Sequence, residues 1–232
     1  MAGFGSAPTI VFDLDGTLVD TAHDLVQTLN AVLASRGMSA VDFDAAVAMV
    51  GSGARVMLES AFATSGASLT PAKLDALVGD FLAYYEDHLV DASRPYPGTE
   101  AMLDRFAVGG WRMAVCTNKY EAPARKLLDL LGLGRHFAAI TGQDTFGFRK
   151  PDPRHLAETI RLAGGTRENA IMVGDSRTDI DTAIAANIPV VAVTFGYSPI
   201  PVAELGPTRV VSDFSELYDT VAALMRQLVR QS

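Results

Sequence analysis

Six short apolar runs, rich in β-branched residues, constrain this chain more than any other feature. They are Thr9 to Phe12, Met113 to Thr117, Phe137 to Thr141, Ala170 to Gly174, Val190 to Thr194 and Arg209 to Val211. A strand with one face in water alternates apolar and polar side chains. Unbroken runs therefore predict strands buried on both faces. Helix-period patterns lie between them, over Glu100 to Val108, Ala122 to Leu131, Pro153 to Ala163, Thr178 to Ala186 and Asp213 to Val229. Gly132, Gly164 and Asn187 fall where helix C-terminal caps belong. Strand and helix in alternation predict an open, mostly parallel α/β sheet flanked by helices.

One stretch departs from the alternation. From Thr21 to Ser93 the patterns are helical, with no convincing strand. Leu25, Leu29, Val32 and Leu33 share one face, and Gly37 follows as a stop. Thr70-Pro71 reads as an N-cap with proline at the first helical position, ahead of an apolar stripe from Leu74 to Tyr85. Arg94-Pro95-Tyr96-Pro97-Gly98 reads as a linker. The predicted organisation is a core domain of residues 1–20 and 94–232 with a helical cap domain, residues 21–93, inserted after the first strand.

Composition excludes several classes. With 49% hydrophobic and 20% charged residues, 232 residues are enough for a real core and too apolar for wholesale disorder. A net charge of −8 makes the chain a poor ligand for nucleic acid or anionic membranes. Met1 to Ala7 has no basic region leading into an apolar stretch, and no run approaches the length of a membrane helix. The single cysteine, Cys116, has no internal partner for a disulfide, as expected of a reducing compartment. A soluble, cytoplasmic protein is expected.

Ligands of open α/β sheets bind beyond the carboxyl ends of the strands. The first strand runs into Asp13-Leu14-Asp15-Gly16-Thr17, and the second into Thr117-Asn118-Lys119. The third is followed by Arg149-Lys150-Pro151-Asp152, and the fourth runs into Gly174-Asp175-Ser176-Arg177-Thr178-Asp179. Each motif alone reads as a turn or a helix cap. Together they put four aspartates, a threonine and a single compensating cation, Lys150, on one sheet edge. Clustered carboxylates repel unless a cation sits among them, and Mg2+ with its oxygen ligands suits such a site.

These four motifs resemble those of the haloacid dehalogenase superfamily, in its aspartate-nucleophile phosphatase branch. The resemblance covers nearly the whole chain and implies a Rossmann-like core with an inserted helical cap. It also implies roles. Asp13 is the expected nucleophile, forming an aspartyl-phosphate. Asp15, two residues on, protonates the leaving oxygen and then deprotonates the water, while its backbone carbonyl ligates Mg2+. Asp175 is the remaining direct metal ligand, and Asp179 acts on the metal from a second layer or through water. Thr117 and the Asn118 N–H, placed where a helix begins, hold phosphate oxygens. Lys150 pairs with Asp13 and the phosphate.

Within the branch, several segments are similar to phosphoglycolate phosphatases: Met49-Val50-Gly51-Ser52-Gly53 in the cap, Thr117-Asn118-Lys119, Gly142-Gln143-Asp144-Thr145-Phe146-Gly147, and Thr194-Phe195-Gly196-Tyr197. Gly51, Ser52 and Gly53 are candidate substrate contacts, with the glycines either hinges or helix punctuation. Arg55 is either a ligand of a substrate carboxylate or a solvated helix-face arginine. His23 departs from a proline common among relatives, and its role is open. The expected activity is Mg2+-dependent hydrolysis of a small phosphate monoester, 2-phosphoglycolate first, by a monomer or homodimer. The rivals are a sugar-phosphate phosphatase or phosphoglucomutase of the same superfamily, and a non-catalytic binding protein of the same fold.

Overall fold

The computed structural model describes residues 7–231. The reading of Met1 to Ala7, Ala7 apart, and the start of the segment 1–20 lie outside the described residues. In chain order the first elements are β1 (Thr9–Phe12), β2 (Val19–Asp20), α1 (Ala22–Ala34), α2 (Phe43–Val47), α3 (Ala54–Thr64), α4 (Pro71–Asp87) and β3 (Arg94–Pro95). There follow α5 (Thr99–Val108), β4 (Arg112–Cys116), α6 (Glu121–Leu130), β5 (Ala139–Thr141), α7 (Pro153–Leu162) and β6 (Ala170–Gly174). Last come α8 (Arg177–Ala185), β7 (Val190–Val193), β8 (Arg209–Val211) and α9 (Phe214–Gln231).

Six strands form one sheet in the order β5-β4-β1-β6-β7-β8. Every pairing in it is parallel. Its two faces carry separate apolar clusters. Ile10, Phe12, Val115 and Val173 pack with Phe106, Leu127 and Leu217 of α5, α6 and α9. Val11, Ala114, Cys116 and Met172 pack with Leu156, Ile160 and Ile180 of α7 and α8. Successive strand residues point to opposite faces, and both faces are covered. This is the physical reason the runs show no polar alternation. Cys116 belongs to the second cluster, and burial pushes its thiol up to about 12, so it packs rather than reacts.

Helices α1 to α4 lie between β2 and β3, with no strand among them in the described residues. Thr70 Oγ1 accepts from the Lys73 N–H ahead of Pro71, as the sequence predicts. Gly132, Gly164 and Asn187 all take positive φ just past helix ends. One reading needs correcting: Arg94-Pro95 is not linker but pairs antiparallel with Val19-Asp20. Two residues including a proline leave no apolar run to detect, and proline is tolerated because this ribbon is all edge. Across it, Asp24 of α1 accepts from the N–H groups of Ala92 and Ser93 at 2.9 and 2.8 Å and from Ser93 Oγ at 2.6 Å. The two chain crossings of the helical insertion are thus tied together.

Strand β1 sits between β4 and β6, with Phe12 level with both Val115 and Val173. The chain leaves β1 toward opposite edges of the sheet, so a crevice opens beyond these three strand ends. Among the described residues no helix is long and apolar enough to cross a membrane.

Candidate active site

Asp13 follows β1 directly and stays in register, its N–H donating to Val173 O at 2.9 Å. Asp175 follows β6, and Asp179 lies in the first turn of α8. The three carboxylates offer oxygen atoms within 4.8 Å of one another, and all three residues are buried. Lys150 enters from the loop before α7. Its Nζ is 2.6 Å from Asp179 Oδ1 and 2.9 Å from Asp13 Oδ1. The ammonium donates to Asp179 but is poorly aligned on Asp13, whose buried Oδ1 has no well-formed hydrogen bond among the described residues.

Burial first, then the neighbouring Asp179, pushes the Asp13 carboxyl up, against the pull of Lys150. Asp175 is raised for the same reasons, burial first and then Asp179 and Asp13. Burial opposes the charge on Lys150, but Asp13 and Asp179 outweigh it and hold the ammonium protonated. One cation cannot balance three buried carboxylates, so the donor set fits a hard divalent ion. Asp175 is held by Thr17 Oγ1 on Oδ1 at 2.7 Å and by the Tyr197 N–H on Oδ2 at 2.9 Å. Each of its oxygens keeps a further lone pair.

Asp179 is committed differently. Its Oδ2 accepts from Ser176 Oγ at 2.6 Å and from the N–H groups of Ser176 and Asp175. Ser176 and Asp179 form a capping box at the start of α8. With Lys150 on its other oxygen, Asp179 is placed to fix Lys150 and the Asp175 backbone.

Asp15 points elsewhere. Its carboxylate lies outside the three-carboxylate cluster and accepts from Lys119 Nζ at 2.9 and 3.2 Å and from Thr21 Oγ1 at 2.7 Å. Turned to Asp15, the Thr21 side chain makes no capping hydrogen bond to α1. In its stead the Tyr197 hydroxyl accepts from the N–H groups of Thr21 and Ala22 at 2.6 and 3.0 Å and donates to Asp20 at 2.6 Å. Between Asp13 and the ribbon, Gly16 takes φ +86°, and a Cβ there would stand 2.5 Å from Asp175 Oδ2. Only glycine permits this close approach.

Other expected residues fall in varied places. Thr117 and Asn118 are buried beside the cluster, but α6 begins at Glu121. They lie in the loop before that helix and not on its first turn. Thr117 Oγ1 accepts from the Lys119 N–H at 3.1 Å. Asn118 Nδ2 donates to Lys150 O and to Gly51 O, at 3.2 and 3.3 Å, and so seats the 51–53 loop on the sheet edge. Gly51 and Gly53 have φ +88° and +90°, and a Cβ on Gly53 would stand 2.8 Å from Asn118 O. Ser52 lines a neighbouring cleft with Asp175 and Tyr197. Arg55 is not brought to the carboxylates. It pairs with Asp75 of α4 at the surface, because it occupies the outer face of α3. His23 is exposed and stacks on Phe43.

Sequence reasoning also passed over four residues. The expectation of a single compensating cation is overturned by Lys119, a second buried ammonium. A lysine two residues past Thr117, at the same strand end, was the available signal. Thr17 and Tyr197 stand in motifs the sequence displays, but nothing local says that they would hold Asp175, and Tyr85, part of an apolar stripe, reaches the site only through the tertiary packing.

The sequence matches the family of haloacid dehalogenase-like hydrolases over residues 10–193, a span that runs from within β1 to the end of β7. The chain belongs to that family. Among curated proteins it is 55% identical to a phosphoglycolate phosphatase of Mesorhizobium japonicum, over 97% of this chain and 98% of that one. It is 48% identical to a phosphoglycolate phosphatase of Agrobacterium fabrum, over 96% and 94% of the two chains. A crystal structure described as a predicted phosphoglycolate phosphatase from Haemophilus somnus superimposes with a TM-score of 0.85 at 28% identity, over 94% of this chain and 99% of the other.

Proposed function

We propose that the protein is a Mg2+-dependent phosphomonoesterase whose substrate is 2-phosphoglycolate. The observation that carries this reading is the buried set of Asp13, Asp175 and Asp179 with Lys150 at the ends of adjacent parallel strands. The two close bacterial relatives support the substrate.

Asp13, Asp175 and the Asp15 carbonyl would hold Mg2+, which would supply positive charge to offset that of the phosphoryl group. The Asp13 carboxylate attacks phosphorus and the phosphorus–alkoxide bond breaks, leaving a phosphoryl group on Asp13. Asp15 gives its proton to the departing alkoxide. It then accepts a proton from the water that attacks the phosphoryl group, and phosphate and free Asp13 result. Lys150, aimed by Asp179, offsets charge on Asp13 and on the phosphoryl oxygens. Thr117 and Asn118 hold those oxygens in place.

Residues 21–93 act as a cap over residues 7–20 and 94–231. The cavity beside Asp15 is about 20 Å³, near the room a single water needs. A substrate enters only when the 51–53 loop lifts from Asn118, and the loop excludes water when it returns. The buried thiol of Cys116 fits a cytoplasmic setting.

The test is phosphate release across phosphorylated metabolites in the presence of Mg2+. The highest kcat/KM is expected for 2-phosphoglycolate. Higher values for sugar phosphates would replace the substrate, and a need for a bisphosphate activator, with phosphate transferred to a sugar phosphate and not released, would replace the reaction.

A further inference from the structure

Lys119 and Tyr85 meet where the helical insertion faces the sheet edge. Lys119 lies in the loop after β4, and Tyr85 is on α4. The Lys119 Nζ stands 4.5 Å from the centre of the Tyr85 ring while it holds Asp15. Both residues line the small cavity beside Asp15, along with Leu25, Met57 and Phe81. The Tyr85 hydroxyl is buried beside the Lys119 ammonium, and among the described residues no acceptor takes its proton. An ammonium carries three donors, and two acceptor oxygens of one carboxylate do not exhaust them.

This arrangement is hard to explain as packing alone. A buried hydroxyl whose proton has no acceptor is unfavourable, and it is tolerated where a ligand completes it. Lys119 holds Asp15, and when Asp15 carries the proton it gives up in the reaction, the ammonium is left without a counter-charge against an otherwise apolar wall and favours an anion over a neutral group. Lys150 is already engaged by Asp13 and Asp179, which leaves Lys119 as the cation on the cap side of Asp15.

The geometry points to a carboxylate seat: the Lys119 ammonium and the Tyr85 hydroxyl bind an anionic group carried by the alcohol half of the substrate. The inference rests on the phosphatase reading above, because that reading places the ester oxygen at Asp15. In 2-phosphoglycolate the carboxylate carbon is two bonds beyond that oxygen. The seat admits the carboxylate once the 51–53 loop has lifted, and its apolar walls offer a sugar few partners. Lys119 and Tyr85 are specificity residues here, with Lys119 also positioning Asp15.

The experiment compares kcat/KM for 2-phosphoglycolate with that for 2-hydroxyethyl phosphate, which replaces the carboxylate by a neutral alcohol and keeps the same ester. The ratio is measured in the wild type and in Lys119→Met, Lys119→Arg and Tyr85→Phe. Lys119→Met lowers the ratio by about tenfold or more, Tyr85→Phe by about threefold to tenfold, and Lys119→Arg restores part of the loss. Because Lys119→Met also disturbs Asp15, affinities for both esters are measured by calorimetry in an Asp13→Asn background. There the preference for the carboxylate ester is again lost on changing Lys119. A wild-type preference for 2-phosphoglycolate that survives in the Lys119 and Tyr85 variants overturns the seat and leaves the proposed substrate standing. A wild type that hydrolyses phosphate esters with no preference for the carboxylate overturns both. A wild type that releases phosphate from no ester overturns the phosphatase reading itself.

Discussion

Asp13 and Asp15 are two residues apart, yet they live in opposite surroundings. Asp13 faces two further buried carboxylates and one poorly aligned lysine. Asp15 faces a lysine that binds both of its oxygens and a threonine hydroxyl. The first region carries excess negative charge and fits a metal and a phosphoryl group. The second is a balanced ion pair turned toward the helical insertion. In the proposed function Asp13 is the nucleophile and Asp15 the proton carrier, and the two sit among different neighbours.

The sharpest way to break this contrast is Asp13→Asn. An amide cannot attack phosphorus, so kcat is expected to fall by about 10⁴-fold or more with the fold intact by circular dichroism. Substantial residual turnover would mean that Asp13 is not the nucleophile. Asp15→Asn should act on a smaller scale and selectively. Loss of a general acid is expected to cost about 10²- to 10⁴-fold for alkyl phosphates, which leave poorly. For p-nitrophenyl phosphate, which leaves without a proton, the first step should suffer less. Equal losses on both substrates would contradict the acid role.

The two regions should also differ in how pH acts on stability. Asp13 and Asp175 have pKa values raised in the folded protein, chiefly by burial. The folded chain then binds protons that the unfolded chain releases, so their contribution is present at acidic pH and is lost as the pH rises toward neutrality and beyond. In chelator, the melting temperature is expected to drop as the pH rises through that window. Added Mg2+ should stabilise the protein more at mildly alkaline than at mildly acidic pH, because binding requires the ionised carboxylates. Equal stabilisation at both would argue against a metal among these groups.

The smallest expected effect joins the regions. Tyr197 donates its N–H to Asp175 and uses its hydroxyl to cap α1 behind Asp15. Tyr197→Phe keeps the first contact, orphans the Thr21 N–H and leaves the Ala22 N–H only its 3.4 Å contact with Asp20. A loss of about 1 kcal/mol is expected in urea unfolding, with a larger effect on KM than on melting if the insertion moves about this point. No change in either would show that water replaces the hydroxyl at no cost.

Much of this was legible before any coordinates. Asp13, Asp175 and Lys150 stand beside strand-forming runs or turn signals, and parallel strands place their carboxyl ends together. The capping residues Thr70 and Asn187 act within a few residues of themselves, so local sequence suffices for them. Arg55 shows the limit. Its place on a helix was readable, but which way that helix faced was not, and it turned out to meet Asp75 at the surface. The β2–β3 ribbon was missed because pairing between residues 19–20 and 94–95 has no periodic signature.

The chain by itself determined a parallel sheet, a helical insertion and a row of acidic strand ends, since burial on two faces and backbone turn chemistry are written in neighbouring residues. Tertiary structure alone decided that Lys119 would neutralise Asp15, that Thr21 would turn its hydroxyl to the same carboxylate, and that Tyr85 would arrive over them from α4. Those pairings join residues 6 to 104 positions apart or across the insertion. Electrostatic environment depends on distance in space, and that is set only when the core has packed.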